Sequence, residues 1–341
     1  MTAAGAALRE RARTVRLPSR AAEYETRRRL PDLLVPAAEL GETAGLAVWW
    51  AGVCRHSPAV PPVAVRAVVL AADHGIAVRG VSARPLGWTA RAVPRLGSPD
   101  GPLGGAAAAL GVSLEVVDVD VAGDAGPTSR AFDEAPALTP DLIDAAYDRG
   151  IAIVGTAADQ DLLVLSAVGV GGSTTAAAIV AASLGLRPTQ AVGRGSGIDD
   201  LAWMRKVSAL RDGLRRARLT GLGAASPAVD HLLQLGSLDA AVAVAILVEA
   251  AARRIPVVID GPLAAAAALL AQRVSPTSRH WWLGVDGITD PVTDRVWDEI
   301  AITRAMTSTA GSGAGGLLAV AAIRTAAALS APGAVDSAES I

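Results

Sequence analysis

The stretch Asp161-Leu-Leu-Val-Leu-Ser166, continued by Gly169-Val-Gly-Gly-Ser-Thr-Thr175 and an alanine-rich run over residues 176–184, decides the fold. The aliphatic run predicts a buried strand, the glycines predict a tight turn, and the alanine run predicts a helix. Strand, glycine turn and helix in this order are typical of one unit of a parallel α/β sheet.

Three further aliphatic runs extend this pattern to either side. They cover residues 65–72, which end at Asp73-His74-Gly75, residues 114–121, and residues 255–260, which a helix over residues 262–272 follows. The sequence therefore predicts an α/β fold with a mostly parallel sheet, whose ligands bind beyond the carboxyl ends of the strands. Residues 1–45 have helical periodicity and predict a peripheral helical segment. Residues 85–105 predict a long loop, and the tail after Ser330 predicts disorder.

Composition excludes several classes of protein. The net charge is −2 and the arginines are scattered, which argues against nucleic acid as a partner. Residues 240–252 are apolar, but they contain Glu249 and are too few to span a bilayer. The N-terminal residues show no secretory pattern, and the single cysteine, Cys54, permits no internal disulfide. We expect a cytoplasmic protein with no membrane partner.

The glycine turn after the third strand is a candidate anion site. Its glycines let the backbone approach an anion, and the following helix start supplies free N–H groups and a partial positive charge. The turn lacks the lysine of a P-loop and the spacing of a dinucleotide fingerprint, which disfavours nucleoside triphosphates and NAD. A purely structural glycine turn is the alternative.

A second glycine loop, Val192-Gly-Arg-Gly-Ser-Gly-Ile-Asp-Asp200, precedes a helix that carries the only lysine of the chain, Lys206. Because the other thirty basic residues are arginine, we expect that Lys206 occupies a place where a compact ammonium is needed. It would reach back to a phosphate held by the two loops. Alternatively, Lys206 survived by chance on a solvated helix face, and Asp199 and Asp200 only cap the helix.

Asp73 and His74 end a predicted strand, where both side chains would face the ligand crevice, although a structural histidine is equally compatible with this position. The remaining histidines show no metal-ligand spacing. The pairs Trp49-Trp50 and Trp281-Trp282 favour a core or an interface over a stacking platform.

Six blocks, in order along residues 64–318, together resemble the nicotinate-nucleotide:dimethylbenzimidazole phosphoribosyltransferase family, which makes the lower-ligand nucleotide of cobalamin. The blocks are Ala72-Asp-His-Gly-Ile-Ala-Val-Arg-Gly-Val-Ser-Ala-Arg-Pro85, Glu115-Val-Val-Asp-Val119, Ser166-Ala-Val-Gly-Val-Gly-Gly-Ser-Thr-Thr175, Val192-Gly-Arg-Gly-Ser-Gly-Ile-Asp-Asp200, Pro256-Val-Val-Ile-Asp-Gly261 and Ala310-Gly-Ser-Gly-Ala314.

The resemblance implies a Rossmann-like large domain and a smaller helical domain built from both termini. We expect an N-terminal helical part over residues 1–60, the large domain over residues 61–275, a C-terminal return over residues 276–330 and a disordered tail over residues 331–341. The resemblance also implies a homodimer, with a heterodimer formed with a paralogue as the alternative.

The implied reaction transfers phosphoribose from nicotinate mononucleotide to a nitrogen of a benzimidazole or another aromatic acceptor, with inversion at the anomeric carbon and without a metal or cofactor. The implied nucleotide and phosphate residues are Gly169, Gly171, Ser173, Thr174, Arg194, Gly195 and Lys206. The implied acceptor pocket contains Asp73 and Ser82 together with Ala310 and Gly311.

The chain departs from the family pattern at two glutamates. Ala310 stands where the family has the glutamate that takes the benzimidazole proton, and Ala167 replaces a second glutamate. Gly236-Ser-Leu-Asp239 replaces Gly-Gly-Phe-Glu, and Val285-Asp286 replaces Ser-His. Two hypotheses follow. In the first, the chain is an enzyme that takes its base from elsewhere, with Asp73, His74 and Asp286 as candidates. In the second, it is a catalytically impaired paralogue, which binds nucleotide or base or serves as the partner subunit of an active family member.

Overall fold

The computed structural model describes residues 3–33, 35, 37–123, 126–156, 160–287, 290–308 and 312–331. Its strands are β1 (Val65–Ala72), β2 (Ser113–Asp120), β3 (Leu162–Val168), β4 (Val257–Asp260), β5 (Trp282–Gly287) and β6 (Thr303–Ser308). Its helices are α1 (Ala3–Thr14), α2 (Arg20–Arg29), α3 (Ala37–Leu40), α4 (Glu42–Cys54), α5 (Trp88–Leu96), α6 (Pro102–Ala109), α7 (Pro140–Gly155), α8 (Gly172–Leu184), α9 (Pro188–Ala191), α10 (Asp200–Leu219), α11 (Ala228–Leu235), α12 (Leu238–Ala252), α13 (Pro262–Val274), α14 (Thr293–Ile300) and α15 (Ala314–Leu329).

Within the described residues, the strands form a six-stranded sheet in the order β2-β1-β3-β4-β5-β6, and every neighbouring pair is parallel. The central strands β1, β3 and β4 are almost entirely buried, because helices cover both faces of a parallel sheet. The edge strand β2 is largely solvent-accessible along its length. The predicted α/β class is confirmed.

Alanine-rich helices give the core its close packing. All but two residues of α12 are buried, and α12 packs against α7, α13 and α1. A Cβ atom on Gly150 of α7 would lie 2.6 Å from the Cβ of Ala245, so the two helix backbones approach too closely for a larger residue. Small side chains therefore set the close spacing of these helices.

Helices from both ends of the chain meet where α4 packs against α2 and against α15. All four paired tryptophans are buried in this chain, and the Trp50 and Trp281 ring nitrogens donate to the Val60 carbonyl at 2.8 Å and to the Arg16 carbonyl at 2.7 Å. The core interpretation of these pairs is confirmed.

The structure corrects three sequence expectations. Residues 85–105 are not one long loop, because they contain α5 and the start of α6. Strands β5 and β6 were not predicted, although they complete the sheet. Helix α8 begins inside the glycine turn, at Gly172. The domain boundary at residue 275 stays a prediction, and all but residue 331 of the predicted disordered tail lies outside the described residues.

Across the described residues, none of the helices combines the length and the apolar character needed to cross a membrane.

Candidate functional site

A cavity of about 380 Å³ opens at the carboxyl ends of the central strands. Its wall is built from the segments that follow β1, β3 and β4, from the loop before α10 and from the first turn of α12. Six of the residues expected from sequence line it, namely His74, Ser82, Gly169, Gly171, Ser173 and Gly195.

The glycine turn after β3 presents the start of α8 to this cavity. Gly171 has φ 97°, in the left-handed region, and a Cβ there would lie 2.9 Å from the Cβ of His74. Gly172 and Ser173 follow in the first turn of α8, where backbone N–H groups are free to bind an anion. Thr174 is buried behind this turn and does not line the cavity.

Lys206 lies immediately behind the two glycine loops. Its Nζ donates to Ser173 Oγ at 3.0 Å and to the Gly193 carbonyl at 3.2 Å, and only 1% of the residue is exposed. Burial lowers the pKa of Lys206 to about 8, against the opposing attraction of the Asp290 carboxylate. The solvated-face alternative was therefore wrong. Lys206 supports the cavity wall without being one of its lining residues.

The second glycine loop closes the same end of the cavity. A Cβ on Gly195, where φ is 48°, would lie 2.6 Å from Ser173 Oγ and 3.3 Å from Lys206 Nζ. Ser196 Oγ accepts a hydrogen bond from the Ala83 N–H at 2.9 Å and lies 3.1 Å from Ser82 Oγ, which ties this loop to the segment after β1.

Arg194 does not reach the cavity. Its guanidinium donates to Asp200 and to the Ile198 carbonyl, and more than half of the side chain is exposed. The Asp199 carboxylate accepts the Ala202 N–H at 2.7 Å and so caps α10, which confirms the capping interpretation of that residue.

Asp73 and His74 are adjacent in sequence but have different environments. Asp73 accepts hydrogen bonds from the Thr89 hydroxyl, from the Ala122 N–H at 3.0 Å and from the Val170 N–H at 3.2 Å. Asp73 is buried outside the cavity wall, and these bonds join the segments that follow three strands, which favours a structural role. His74 lines the cavity and faces Asp239, with 3.5 Å between Nε2 and Oδ2.

Asp260, at the end of β4, is a cavity residue that the sequence analysis did not single out. Its Oδ2 accepts the N–H groups of Gly313 at 2.9 Å and Gly316 at 3.2 Å, at the start of α15. Burial outweighs these hydrogen bonds and raises the pKa of Asp260 to about 6. A carboxylate with this pKa is largely ionised at pH 7 and is suited to accept a proton.

Trp88 and Arg84 form another part of the wall that sequence reasoning missed. The Arg84 guanidinium carbon lies 5.0 Å from the centre of the Trp88 ring, and both residues line the cavity with Ser312. Ala310 and Gly311 lie outside the described residues. Asp286 does not line the cavity, and its Oδ1 lies 3.8 Å from Arg304 Nε.

Comparisons with known proteins agree on one family. A family model described as phosphoribosyltransferase, DBI_PRT, matches residues 15–339. A nicotinate-nucleotide–dimethylbenzimidazole phosphoribosyltransferase from Streptomyces avermitilis is 38% identical over 319 residues, covering 87% of this chain and 83% of the relative. The protein of the same name from Mycobacterium tuberculosis is 35% identical over 282 residues, covering 79% of this chain and 76% of the relative.

A solved structure extends the likeness to three dimensions. The crystal structure of CobT from Thermus thermophilus matches with a TM-score of 0.81 at 26% identity, covering 91% of this chain and 96% of that chain. The fold and the chain length are therefore shared almost completely.

Proposed function

The chain belongs to the nicotinate-nucleotide:dimethylbenzimidazole phosphoribosyltransferase family, and we propose that it transfers phosphoribose from nicotinate mononucleotide to a nitrogen of a benzimidazole-like acceptor, in the synthesis of the cobalamin lower ligand. The observation that carries this proposal is one cavity that combines an anion-binding helix start, backed by Lys206, with the buried carboxylate of Asp260. A cytoplasmic location stays a prediction.

The phosphate of the donor binds at the start of α8. Because an ammonium group only donates hydrogen bonds, Ser173 Oγ accepts from Lys206 and keeps its own hydrogen for a phosphate oxygen. The free N–H groups of Gly172 and Ser173 supply further donors, and the buried ammonium adds positive charge at close range. Phosphate recognition therefore requires neither Arg194 nor Thr174.

The acceptor binds on the side of Ser82, Trp88 and Ser312, where the indole ring offers an aromatic surface. Its nitrogen lone pair forms a bond to the anomeric carbon as the bond from that carbon to the pyridinium nitrogen breaks. The electron pair of the broken bond neutralises the pyridinium and releases nicotinate. The positive charge that develops on the sugar is stabilised by the nearby carboxylates of Asp239 and Asp260.

Attack by a neutral benzimidazole leaves an excess proton on its second nitrogen. We assign this proton to Asp260, which is ionised at pH 7 and accepts the N–H of Gly313, three residues after Ala310 in sequence. Among the earlier candidates, Asp73 accepts three hydrogen bonds outside the cavity wall, and Asp286 does not line the cavity either. Asp260 is therefore the proposed general base.

A catalytically impaired paralogue is the second candidate function. It is favoured by Ala167, which places a methyl group in the cavity wall where the family resemblance implies a glutamate. In this case the chain binds nucleotide or base, or completes the site of an active family member as its partner subunit.

Turnover measurements separate the two functions. They compare the wild type with Ala310→Glu and Ala167→Glu, with nicotinate mononucleotide and dimethylbenzimidazole as substrates. The enzyme proposal expects the wild type to form the ribosylated base, measured by chromatography and mass spectrometry. If only the glutamate variants turn over, by a factor on the order of 10²–10⁴, the chain is an impaired paralogue. If none of them turns over, including with other aromatic acceptors, the proposed transfer is contradicted.

A further inference from the structure

Two buried polar side chains in the cavity have hydrogen-bonding capacity that the protein does not use. His74 is 1% exposed and Asp239 is 0% exposed, yet both line the cavity. Within the described residues, neither ring nitrogen of His74 nor Oδ2 of Asp239 has a hydrogen-bond partner. Buried polar atoms are rarely left in this state, so these atoms point to a polar group that the cavity receives.

The two side chains of the pair do not satisfy each other by a hydrogen bond. His74 Nε2 and Asp239 Oδ2 lie 3.5 Å apart, beyond the usual range of roughly 2.7–3.2 Å for an N–H···O bond. Oδ1 of Asp239 accepts the Ala240 N–H at 2.9 Å in the first turn of α12, which fixes the carboxylate and leaves Oδ2 free. The pair thus presents one fixed carboxylate oxygen beside an imidazole whose two ring nitrogens are unpaired within the described residues.

This chemistry fits hydroxyl groups. A hydroxyl both donates and accepts, so a pair of neighbouring hydroxyls donates to Oδ2 of Asp239 and bonds to the imidazole of His74. A phosphate does not fit, because a carboxylate repels it. Carboxylate side chains hold ribose hydroxyls in the same manner in nucleotide-binding folds.

The pair also lies next to the expected phosphate position. The Cβ of His74 would lie 2.9 Å from a Cβ on Gly171, and His74 Nε2 would lie 3.3 Å from a Cβ on Gly172. The imidazole therefore lies directly beneath the turn that starts α8, where the sugar of a bound nucleoside monophosphate follows its phosphate.

We propose that His74 and Asp239 bind the ribose hydroxyls of the donor nucleotide and thereby select ribose over 2-deoxyribose. The inference rests on the proposed function only in placing the phosphate at the start of α8. It makes His74 a sugar-binding residue, where the sequence offered it as a base.

Isothermal titration of the full chain with ribose 5-phosphate and with 2-deoxyribose 5-phosphate tests the proposal directly. The wild type should bind ribose 5-phosphate about 10- to 100-fold more tightly, because one hydrogen bond to a charged group is lost with the deoxy sugar. Asp239→Asn and His74→Gln should reduce this ratio strongly. Ser173→Ala is the matched control, and it should weaken both sugars equally because it acts on the phosphate.

Equal binding of the two sugars by the wild type overturns the proposal. Because this outcome needs no variant, it decides the question even if the variants fail to fold. A preference that persists in both Asp239→Asn and His74→Gln also overturns it. If both sugars bind equally and Ser173→Ala weakens both, the phosphate site stands and only the hydroxyl assignment fails. If neither sugar phosphate binds, the proposed donor site fails as well.

Discussion

At the scale of single residues, Lys206 shows why one lysine persists among thirty arginines. Its ammonium fits between Ser173 Oγ and the Gly193 carbonyl, where a Cβ on Gly195 would already lie 3.3 Å from Nζ. A planar guanidinium is larger and cannot occupy this space with the same contacts. The sequence suggested the role through rarity alone, whereas burial behind the cavity wall was visible only in three dimensions.

Replacing Lys206 should weaken donor binding. We expect Lys206→Met and Lys206→Arg to lose at least about tenfold in affinity for nicotinate mononucleotide, because Ser173 is no longer held and a nearby positive charge is lost or displaced. Isothermal titration measures this, with Arg211→Met, an exposed change on the same helix, as the matched control. Equal affinity in the wild type and Lys206→Met would remove Lys206 from the site.

The same lysine gives the donor affinity a pH dependence. Since burial lowers its pKa to about 8, the ammonium is present at pH 7 and is lost as the pH rises through 8. Wild-type affinity should therefore fall between pH 7 and 9, whereas Lys206→Met should not show this fall. A wild-type affinity that stays constant from pH 7 to 9 would contradict a role for the positive charge of Lys206 in donor binding.

At the scale of elements, Asp260 joins the end of β4 to the start of α15 through the N–H groups of Gly313 and Gly316. Its pKa is raised by burial from 3.8 to about 6, so the folded state binds a proton more tightly than the unfolded state between these values. The ionised carboxylate thus lowers stability as the pH rises from about 4 to 6. This cost persists at pH 7.

Asp260→Asn should separate catalysis from stability. We expect the variant to lose turnover and, at pH 7, to match or exceed the wild type in free energy of unfolding, by up to about 3 kcal/mol. Urea unfolding at pH 7 and at pH 4.5 measures the difference, which should shrink at the lower pH as the wild-type carboxyl becomes protonated. A variant that is less stable at pH 7 but turns over normally would show that Asp260 is only a structural link.

The accuracy of the sequence predictions followed the strength of local patterns. Strand β1 was predicted with its observed bounds because an unbroken aliphatic run has few alternatives. Helices α5 and α6 were missed because proline and glycine dominate their segment, although tertiary packing and Pro102 at the helix start tolerate them. The short strands β5 and β6 mix polar residues and tryptophan with few aliphatic ones, so their strand character comes from the neighbouring strands.

The candidate site was predicted better on its glycine side than on its acidic side. Gly171, Ser173 and Gly195 converge as expected, because glycine loops leave a pattern in sequence. In the sequence, Asp239 is an ordinary residue at a helix start and Asp260 an ordinary residue at a strand end. Only their burial in one cavity identifies them as site residues. The family resemblance is confirmed. The loss of the family's base at Ala310 stays a prediction.

At the scale of the whole molecule, exposed apolar side chains favour the homodimer that the family resemblance implies. Val78, Leu201 and Met204 are each more than half exposed, on the 3-10 turn after β1 and on the helix α10 that packs against it. They lie beside segments that line the cavity. We take these three side chains as a candidate interface patch, and the homodimer stays a prediction.

Light scattering at tens of micromolar protein should therefore give the mass of a dimer. Leu201→Glu combined with Met204→Glu should shift the mass towards the monomer, because charges in the patch oppose its burial. Leu219→Glu is the matched control, since Leu219 is exposed at the far end of the same helix and should leave the mass unchanged. A monomeric wild type would contradict the expected homodimer, and dimerisation only with a second family member would support the partner-subunit function.

The stoichiometry of the reaction tests the central claim, phosphoribosyl transfer by this chain, most directly. Wild-type protein is mixed with nicotinate mononucleotide and dimethylbenzimidazole, and released nicotinate and ribosylated base are quantified in the same sample. Transfer predicts that the two products appear in equal amounts and that both require the acceptor. Nicotinate release no faster than in a protein-free control, from a protein that binds the nucleotide, would contradict the claim.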